Sequence, residues 1–372
     1  MSFEVRAMRG ADAMQESLFT VAKLDDFVPA DHPLRPMRVL VNDALTAMNA
    51  QFNAIYADSG RDSIAPEKLI RALLLQVFYS IRSERQLCEQ LRYNLLYRWF
   101  VGLEMDETVW DVTVFTKNRE RLIAGEVSQQ MLAAVLMEAR EKQLLSAEHF
   151  TVDGTLIQAW AASRSFTEKS DPPKPGAGSG YQGEVLLRDK VESKTDPEAR
   201  LYKKATADKA VPSYQGHALM ENRHGLVVAA EASPSATVAE REVALRLLDR
   251  VIEEKDKRGP ETKITLGADT QYQDGKFIQG LRERAVAPHV SEYTKGANLA
   301  RNALTGQERD DERRPVSQRK RKLIERVFGW CKLDRGLRQV KLRGLKRVDW
   351  FYRLVITAYN LMRMRRLIPV AA

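Results

Sequence analysis

The chain has 372 residues, of which 44% are hydrophobic and 29% charged, a near-average globular composition that excludes a fibrous or wholly disordered chain and suggests two or three domains. Two cysteines, five histidines and no CxxC pair argue against a disulfide scaffold, a zinc site and thiol redox chemistry. The net charge of +9 is unevenly placed: residues 1–150 carry 17 basic and 21 acidic side chains, residues 151–300 carry 22 of each, and residues 301–372 carry 20 basic against 7 acidic.

No apolar run approaches the roughly 18 residues a bilayer span needs, and MSFEVRAMRG lacks the charged-then-apolar pattern of an export signal. A cytoplasmic protein is the expectation. Apolar positions recur at three- and four-residue spacing in HPLRPMRVLVNDALTAMNAQF, PEKLIRALLLQVFYSI and VSQQMLAAVLMEAREKQLL, which predicts a mainly helical domain over residues 1–145. Pro66 fits a first helical turn. Ser83 and Gln86 make a capping-box start for one helix over ERQLCEQLRYNLLYRWF. SIRS then links two helices in a helix-turn-helix-like arrangement, a pattern that ordinary helical hairpins share. The acidic balance of this region argues against its being the main phosphate contact.

From His149 the pattern changes to the alternation of a strand, HFTVDGTLIQAWAA, and a second domain is expected over residues 146–372. Residues 164–212 are polar and irregular and read as a surface insertion. Gly178, Gly180 and Gly183 within it match GxGxxG, but they follow a Pro-rich loop and not a strand, so a dinucleotide site is rejected. YQGHALMEN and GLVVAAEA predict a hairpin turning at Arg223-His224-Gly225. Thr237 and Glu240 form a second capping box, opening a helix that Gly259 and Pro260 end. A strand (KITLGAD), a helix (GKFIQGLRERA), a strand (APHVSEY) and the helix SQRKRKLIERVFGWCK follow. Strands alternating with helices on a sheet that includes a hairpin predict an α/β fold with a mixed sheet.

The basic stretch RRPVSQRKRKLIER, with KLRGLKR, RMRR and interleaved Phe328, Trp330, Trp350 and Phe351, suits a polyanion with stackable bases, so nucleic acid is the leading partner. No GxSxG elbow and no GxxxxGK[ST] loop occurs, which leaves serine-hydrolase and P-loop readings without their minimum residues. Three carboxylates stand out. Asp153 follows the strand residues Phe150 and Val152, Asp269 ends the strand KITLGA, and Glu325 lies in the late basic helix. Singly, each has a plain structural reading: a turn residue, an N-cap, and an i,i+4 partner of Arg321. Together they follow the order in which a ribonuclease-H-like fold gathers three oxygen donors. His217 and His289 read as buried structural histidines, Trp160 as a core residue, and Trp330 as divided between packing and base stacking.

The motifs TVDGTLIQAWAA, LGADTQYQDGKF and RKRKLIERVFGWCK resemble those of bacterial insertion-sequence transposases of the DDE class, in the IS-five-like group, over nearly the whole chain. That resemblance implies a ribonuclease-H-like catalytic domain behind a helical N-terminal domain. It also implies a DNA transposase that cleaves the ends of an insertion sequence and joins the 3′-ends to target DNA. Asp153, Asp269 and Glu325 would be the catalytic and metal-binding acids for two Mg²⁺ or Mn²⁺ ions. DNA contacts are expected from Arg321 and Lys332, and from Arg319, Lys320, Lys322 and Trp330. Partners are terminal inverted repeats and target DNA, held by a homodimer or larger assembly, with no membrane. The group's third motif begins with Tyr where this chain has Gln318, while Arg321, Glu325 and Lys332 keep type and spacing. Two readings compete: a DNA-binding protein that keeps the fold without strand transfer, and a nuclease that cuts without joining.

Overall fold

A computed structural model describes residues 22–55, 63–170, 190–203, 209–236, 239–256, 263–333 and 335–368. The helices α1 (Leu34–Ala47), α2 (Asn49–Ile55), α3 (Pro66–Phe78), α4 (Glu84–Tyr93), α5 (Leu95–Val101), α6 (Val112–Ala124) and α7 (Val127–Glu141) come first. Pro66 opens α3 as expected. Ser83 Oγ accepts from the Gln86 amide at 3.2 Å, and Gln86 Oε1 reaches back to the Arg82 amide at 3.3 Å. The helix expected over ERQLCEQLRYNLLYRWF is instead two. Asn94 adopts an extended backbone, ends α4, and caps α5 by accepting from the Tyr97 amide at 3.2 Å. Its short amide side chain offers the backbone an alternative to continuing the helix.

The second half contains β1 (His149–Gln158), β2 (Phe166–Glu168), β3 (Val191–Ser193), β4 (Arg200–Tyr202), β5 (Val211–Glu221), β6 (Val227–Pro234), α8 (Ala239–Asp256), β7 (Thr265–Ala268), α9 (Gly275–Glu283) and β8 (Ala287–Val290). A single turn, α10 (Gly306–Arg309), precedes α11 (Arg314–Arg321), α12 (Leu323–Leu333) and α13 (Leu345–Leu367). The main sheet runs β6-β5-β1-β7-β8, with β5 antiparallel to both β6 and β1, and β7 and β8 parallel to β1 and to each other. This is the mixed ribonuclease-H-like sheet. The hairpin turns where expected, because the Glu221 carboxylate accepts from the amides of Arg223, His224 and Leu226 at 2.9, 2.7 and 3.1 Å, and Gly225 takes a φ of +75°.

Two expectations need correction. The region 164–212 is not wholly an unpacked insertion. Within it β2 pairs β3, β4 pairs the start of β5, and β5 itself begins at Val211. Buried Asp196 anchors the segment by accepting from Tyr214 Oη at 2.7 Å. The glycines of the GxGxxG match, Thr237, Gly259 and Pro260 lie outside the described residues. The basic helix SQRKRKLIERVFGWCK is likewise two helices, meeting at Lys322.

Period-2 alternation along β1 feeds two cores. Phe150 and Val152 join Leu247, Leu266, Phe277 and Val290 beneath α8 and α9. Ile157 joins Tyr214 and Ala218 on the other face, against α13. That second core is continuous with Val41, Leu69, Leu87 and Val135 of the N-terminal helices. Asn360 on α13 is buried and accepts from the Val227 amide at 2.9 Å while donating to its carbonyl at 2.8 Å. Arg335 fastens the same region to α3 through the Val77 carbonyl at 3.0 Å and Ser80 Oγ at 2.8 Å. Cys88 and Cys331 are free and buried, and burial pushes the Cys88 thiol up to about 11, so it is not poised for redox chemistry.

Glu138 on α7 is 7% exposed, its carboxyl oxygens have no hydrogen-bond partner among the described residues, and its nearest cation, Lys142 Nζ, is 3.5 Å away. Burial pushes its pKa up to about 7. An acid whose pKa rises on folding binds its proton more tightly in the native state, so the native state loses stability as pH rises from the ordinary carboxyl range through 7. Glu138→Gln is therefore expected to stabilise the protein by roughly 2 kcal/mol at pH 8 and to change it little at pH 4. Urea unfolding at the two pH values measures the difference.

Candidate active site

The site begins with strand register. Thr151 of β1 pairs with Gly267 of β7, and two residues further on each strand stand Asp153 and Asp269. The ladder ends at that pair and β7 at Ala268, so both aspartates follow it at the carboxyl end of β7, in positions that alternate onto the face that Thr151 and Gly267 share. Both are half-buried. Asp269 also caps the short turn Thr270–Tyr272, accepting from the Gln271 amide at 2.9 Å. Asp153 Oδ1 accepts from the Gly154 amide at 2.8 Å. The cap expected of Asp269 is thus real, whereas Asp153 stands inside β1 and not at a turn that ends it.

Helix α11 lies on the same face. A Cβ on Gly267 would stand 3.0 Å from Ser317 Oγ and 3.3 Å from Thr151 Oγ1, so a bare Cα lets the helix approach. Gln318, at the group's Tyr position, ties α11 to the strand ends. Its amide nitrogen donates to the His289 carbonyl and, at 3.5 Å, to that of Ala268, while its Oε1 accepts from Ser291 Oγ at 2.6 Å and Arg321 Nε at 3.4 Å. The departure from Tyr thus leaves a polar anchor beside Asp269. Beyond it, Glu325 sits in the first turn of α12 and Lys332 in the last. Glu325 is exposed and, among the described residues, forms no ion pair with Arg321 or any other cation. Arg319, Lys320 and Lys322 are exposed, and Arg321 and Lys332 half-buried.

All-oxygen donors suit a hard divalent ion, and Asp153 and Asp269 fit one in chemistry and placement. Among the described residues, however, no three Asp, Glu, His or Cys side chains are grouped closely enough to hold a metal ion. The structure offers a cation an aspartate pair with Glu325 standing out from it, and not a closed triad.

Two phenols are buried in the cores on the two faces of the sheet. Tyr272 is 1% exposed, and burial raises its pKa well above the ordinary value, with Glu240, Asp153 and Asp269 adding to the rise. Tyr352 on α13 is fully buried; burial is again the main cause of its raised pKa, with Cys331, Asp349 and Asp153 adding to it. Neither hydroxyl has a hydrogen-bond partner among the described residues. The sequence reading missed both phenols. Tyr272 had a signal, three residues past a strand-ending aspartate.

His217 and His289 are buried as expected. His217 Nε2 is 2.8 Å from Ser233 Oγ, and burial lowers its pKa to about 4; His289 Nε2 is 3.3 Å from Asp311. Trp160 is not a core residue. β1 ends at Gln158, two positions earlier, and the indole is 42% exposed. Trp330 is half-buried, edge-on to Tyr359 with centroids 5.6 Å apart and with the Arg335 guanidinium 5.1 Å from its ring.

Two family models match the chain: a transposase domain (DUF772) over residues 22–121 and a transposase DDE domain over residues 147–361. No curated protein matches it. Among solved structures, a piggyBac transposase synaptic complex with hairpin DNA overlaps at a TM-score of 0.37 and 7% identity, covering 90% of this chain and 75% of that one. A Mos1 transposase paired-end complex with the left transposon end overlaps at 0.21 and 11% identity, covering 75% and 82% of the two chains. A Mos1 mariner paired-end complex with Mn gives 0.21 and 12%, covering 78% and 85%. Overlaps this loose carry no argument about the chain.

Proposed function

This chain belongs to the DDE-domain transposase family, and we propose that it cuts DNA at the ends of an insertion sequence and joins the freed 3′-ends to target DNA. The observation that carries the reading is the parallel pairing of Thr151 with Gly267, two residues short of Asp153 and Asp269 on their respective chains, beneath a helix that ends in a run of cations. The spacing of Arg321, Glu325 and Lys332 supports the IS-five-like group.

Asp153 and Asp269 would hold Mg²⁺ or Mn²⁺, two ions in the full reading, with Glu325 completing the set from α12. Bound there, such ions activate a water or 3′-hydroxyl and stabilise the leaving oxygen. The chain's own part is to hold the two carboxylates in register and to bring a phosphodiester to them. Two anions 4 Å apart repel by about 4 kcal/mol at an effective dielectric of 20, a repulsion that a bound cation would offset. Arg321 and Lys332 flank Glu325 in sequence and would seat the phosphates on either side of the scissile bond, Arg as a fork and Lys as a point charge. Arg319, Lys320 and Lys322 extend that surface, and Trp330, with Arg335 over its ring, stands next along α12. Residues 1–145 would bind the end, mediate association, or both, in a homodimer or larger assembly that holds two ends. No helix among the described residues is long and apolar enough to cross a membrane, and a cytoplasmic location suits the role.

Neutralising Arg319, Lys320 and Lys322 to Gln is expected to weaken DNA binding for all sequences alike. The log–log salt slope should fall by about 0.9 for each phosphate that is no longer neutralised. Fluorescence anisotropy across a salt series reads both effects, and an unchanged slope would remove α11 from the interface.

A second reading, a ribonuclease-H-fold DNA-binding protein without strand transfer, is favoured by one observation, the unclosed triad. Mg²⁺-dependent nicking of a duplex carrying the element's terminal inverted repeats separates the two. Recovery of a 3′-end covalently joined to target DNA then separates a transposase from a nuclease that only cuts.

A further inference from the structure

Beyond α12 the chain returns to the sheet, and residues 338–340 lie alongside the end of β1. The Gln158 amide donates to the Arg338 carbonyl at 3.2 Å, and the Val340 amide to the Gln158 carbonyl at 3.0 Å. The same segment is tied to the turn between α3 and α4. Arg335 Nη1 donates to the Val77 carbonyl and Ser80 Oγ at 3.0 and 2.8 Å, and Lys341 Nζ to the Arg82 carbonyl at 3.1 Å. Around these ties opens a cleft of about 530 Å³, bounded by the N-terminal helices on one side and by residues 335–342 and the start of α13 on the other. That volume is in the range of ligand pockets and far above what one inorganic ion fills.

The charge of the cleft is one-sided. Arg82, Arg85, Arg119, Arg335 and Lys341 line it against a single acid, Glu84, which is already paired with Arg119. Residues 1–150 are acidic on balance, so this concentration of cations is local. Arg82, Arg85 and Lys341 are exposed, whereas Trp350 is buried and Phe351 half-buried, so cations rim an apolar floor. The guanidiniums of Arg82 and Arg85, and of Arg338 and Arg343 on the adjoining segment, have no hydrogen-bond or ion-pair partner among the described residues.

The cleft also stands within reach of the aspartates. Ile157 lies four residues past Asp153, on the same side of β1 by its period-2 alternation, and shares a core with Trp350. At about 3.3 Å per residue, the five residues from Asp153 to Gln158 cover roughly 17 Å, the length of about five nucleotides of duplex at about 3.4 Å each.

We propose that this interdomain cleft is a DNA-backbone site. It grips the phosphates of one strand roughly five nucleotides from the scissile bond, through Arg82 and Arg85 from the N-terminal half and Arg338 and Arg343 from the catalytic half. A DNA backbone alternates charged phosphates with less polar sugar faces, which matches exposed cations above an apolar floor. The distance rests on the reading of Asp153 and Asp269 as the cutting site, and the contact itself does not.

The experiment uses the full-length protein and fluorescence anisotropy on a labelled duplex of arbitrary sequence across a salt series. Arg82→Gln with Arg85→Gln, and separately Arg338→Gln with Arg343→Gln, should each weaken binding and lower the log–log salt slope by up to about 1.8, about 0.9 for each phosphate no longer neutralised. A control pair, Arg223→Gln with Lys263→Gln, removes the same charge at the β5–β6 turn and ahead of β7, the opposite end of the strands, and should leave the slope unchanged. All six side chains are exposed and without a partner among the described residues, so urea midpoints should stay close to the parent's. An unchanged slope in either cleft pair, or an equal fall in the control pair, overturns the inference. Weaker binding of inorganic pyrophosphate in the cleft pairs at an unchanged DNA slope would make this a small-anion pocket and overturns it too. Mg²⁺-dependent nicking of the terminal-repeat duplex by the parent tests the aspartates separately. Nicking with an unchanged slope overturns this inference alone; a lowered slope without nicking overturns the aspartate reading and the distance drawn from it, and leaves the contact standing.

Discussion

Replacing Asp269 by Asn should lower divalent-dependent cleavage of a terminal-repeat duplex by at least about a thousandfold and leave binding of that duplex largely intact. The substitution is a clean probe because Asp269 has two separable jobs. Its Oδ1 caps the turn Thr270–Tyr272 by accepting from the Gln271 amide at 2.9 Å, and Asn caps as well as Asp. What Asn cannot supply is the anionic oxygen beside Asp153. Asp153→Asn should behave alike, since its hydrogen bond from the Gly154 amide also needs only a carbonyl-type oxygen. A gel assay of strand nicking, paired with anisotropy on the same duplex, checks both halves. Cleavage at the parental rate by Asp269→Asn would refute the assignment of this residue to the chemistry.

Gly216→Val is expected to cost about 3 kcal/mol or more of stability, the largest effect predicted for any change outside the acids. Gly216 lies in the middle of β5. A Cβ there would stand 2.8 and 2.9 Å from Cε2 and Cζ of the Tyr352 ring and 2.9 Å from Ile157 Cδ1. Tyr352 and Ile157 are fully buried. An aromatic ring on a helix held from both sides cannot swing away as a surface side chain does, so α13 itself must shift from the sheet. Denaturant unfolding measures the loss, and a midpoint equal to the parent's would show that α13 packs on β5 loosely enough to give way.

The sequence was informative where local rules and tertiary needs coincided. The alternation through HFTVDGTLIQ is β1, and the turn at Arg223-His224-Gly225 is the hairpin, whereas the register that sets Asp153 and Asp269 each two residues past a paired position is visible only in the fold. It was silent where an outcome depends on distant neighbours. Nothing in RKRKLIERVFGW marks the interruption at Lys322, and nothing in ERQLCEQLRYNLLYRWF outweighs its helical periodicity except one Asn. Glu240 shows the limit most clearly. Its spacing from Thr237 explains it as a capping acid, and only the folded sheet reveals that its carboxylate lies over the residue following Asp153. Trp160 erred in the other direction, because apolar alternation continues two residues past the last hydrogen bond of the strand.

Helix α13 is a wall common to two rooms. Its inner residues line the compartment under β5 and β6 and, without a break, the one enclosed by the N-terminal helices. Swinging one half of the molecule away from the other would therefore peel open a greasy seam, so hinge opening between the two halves is disfavoured. Under the proposed function, a duplex would approach from the side where α11 and α12 carry their cations, and an adjustment drawing Glu325 inward would be made within that short helical pair.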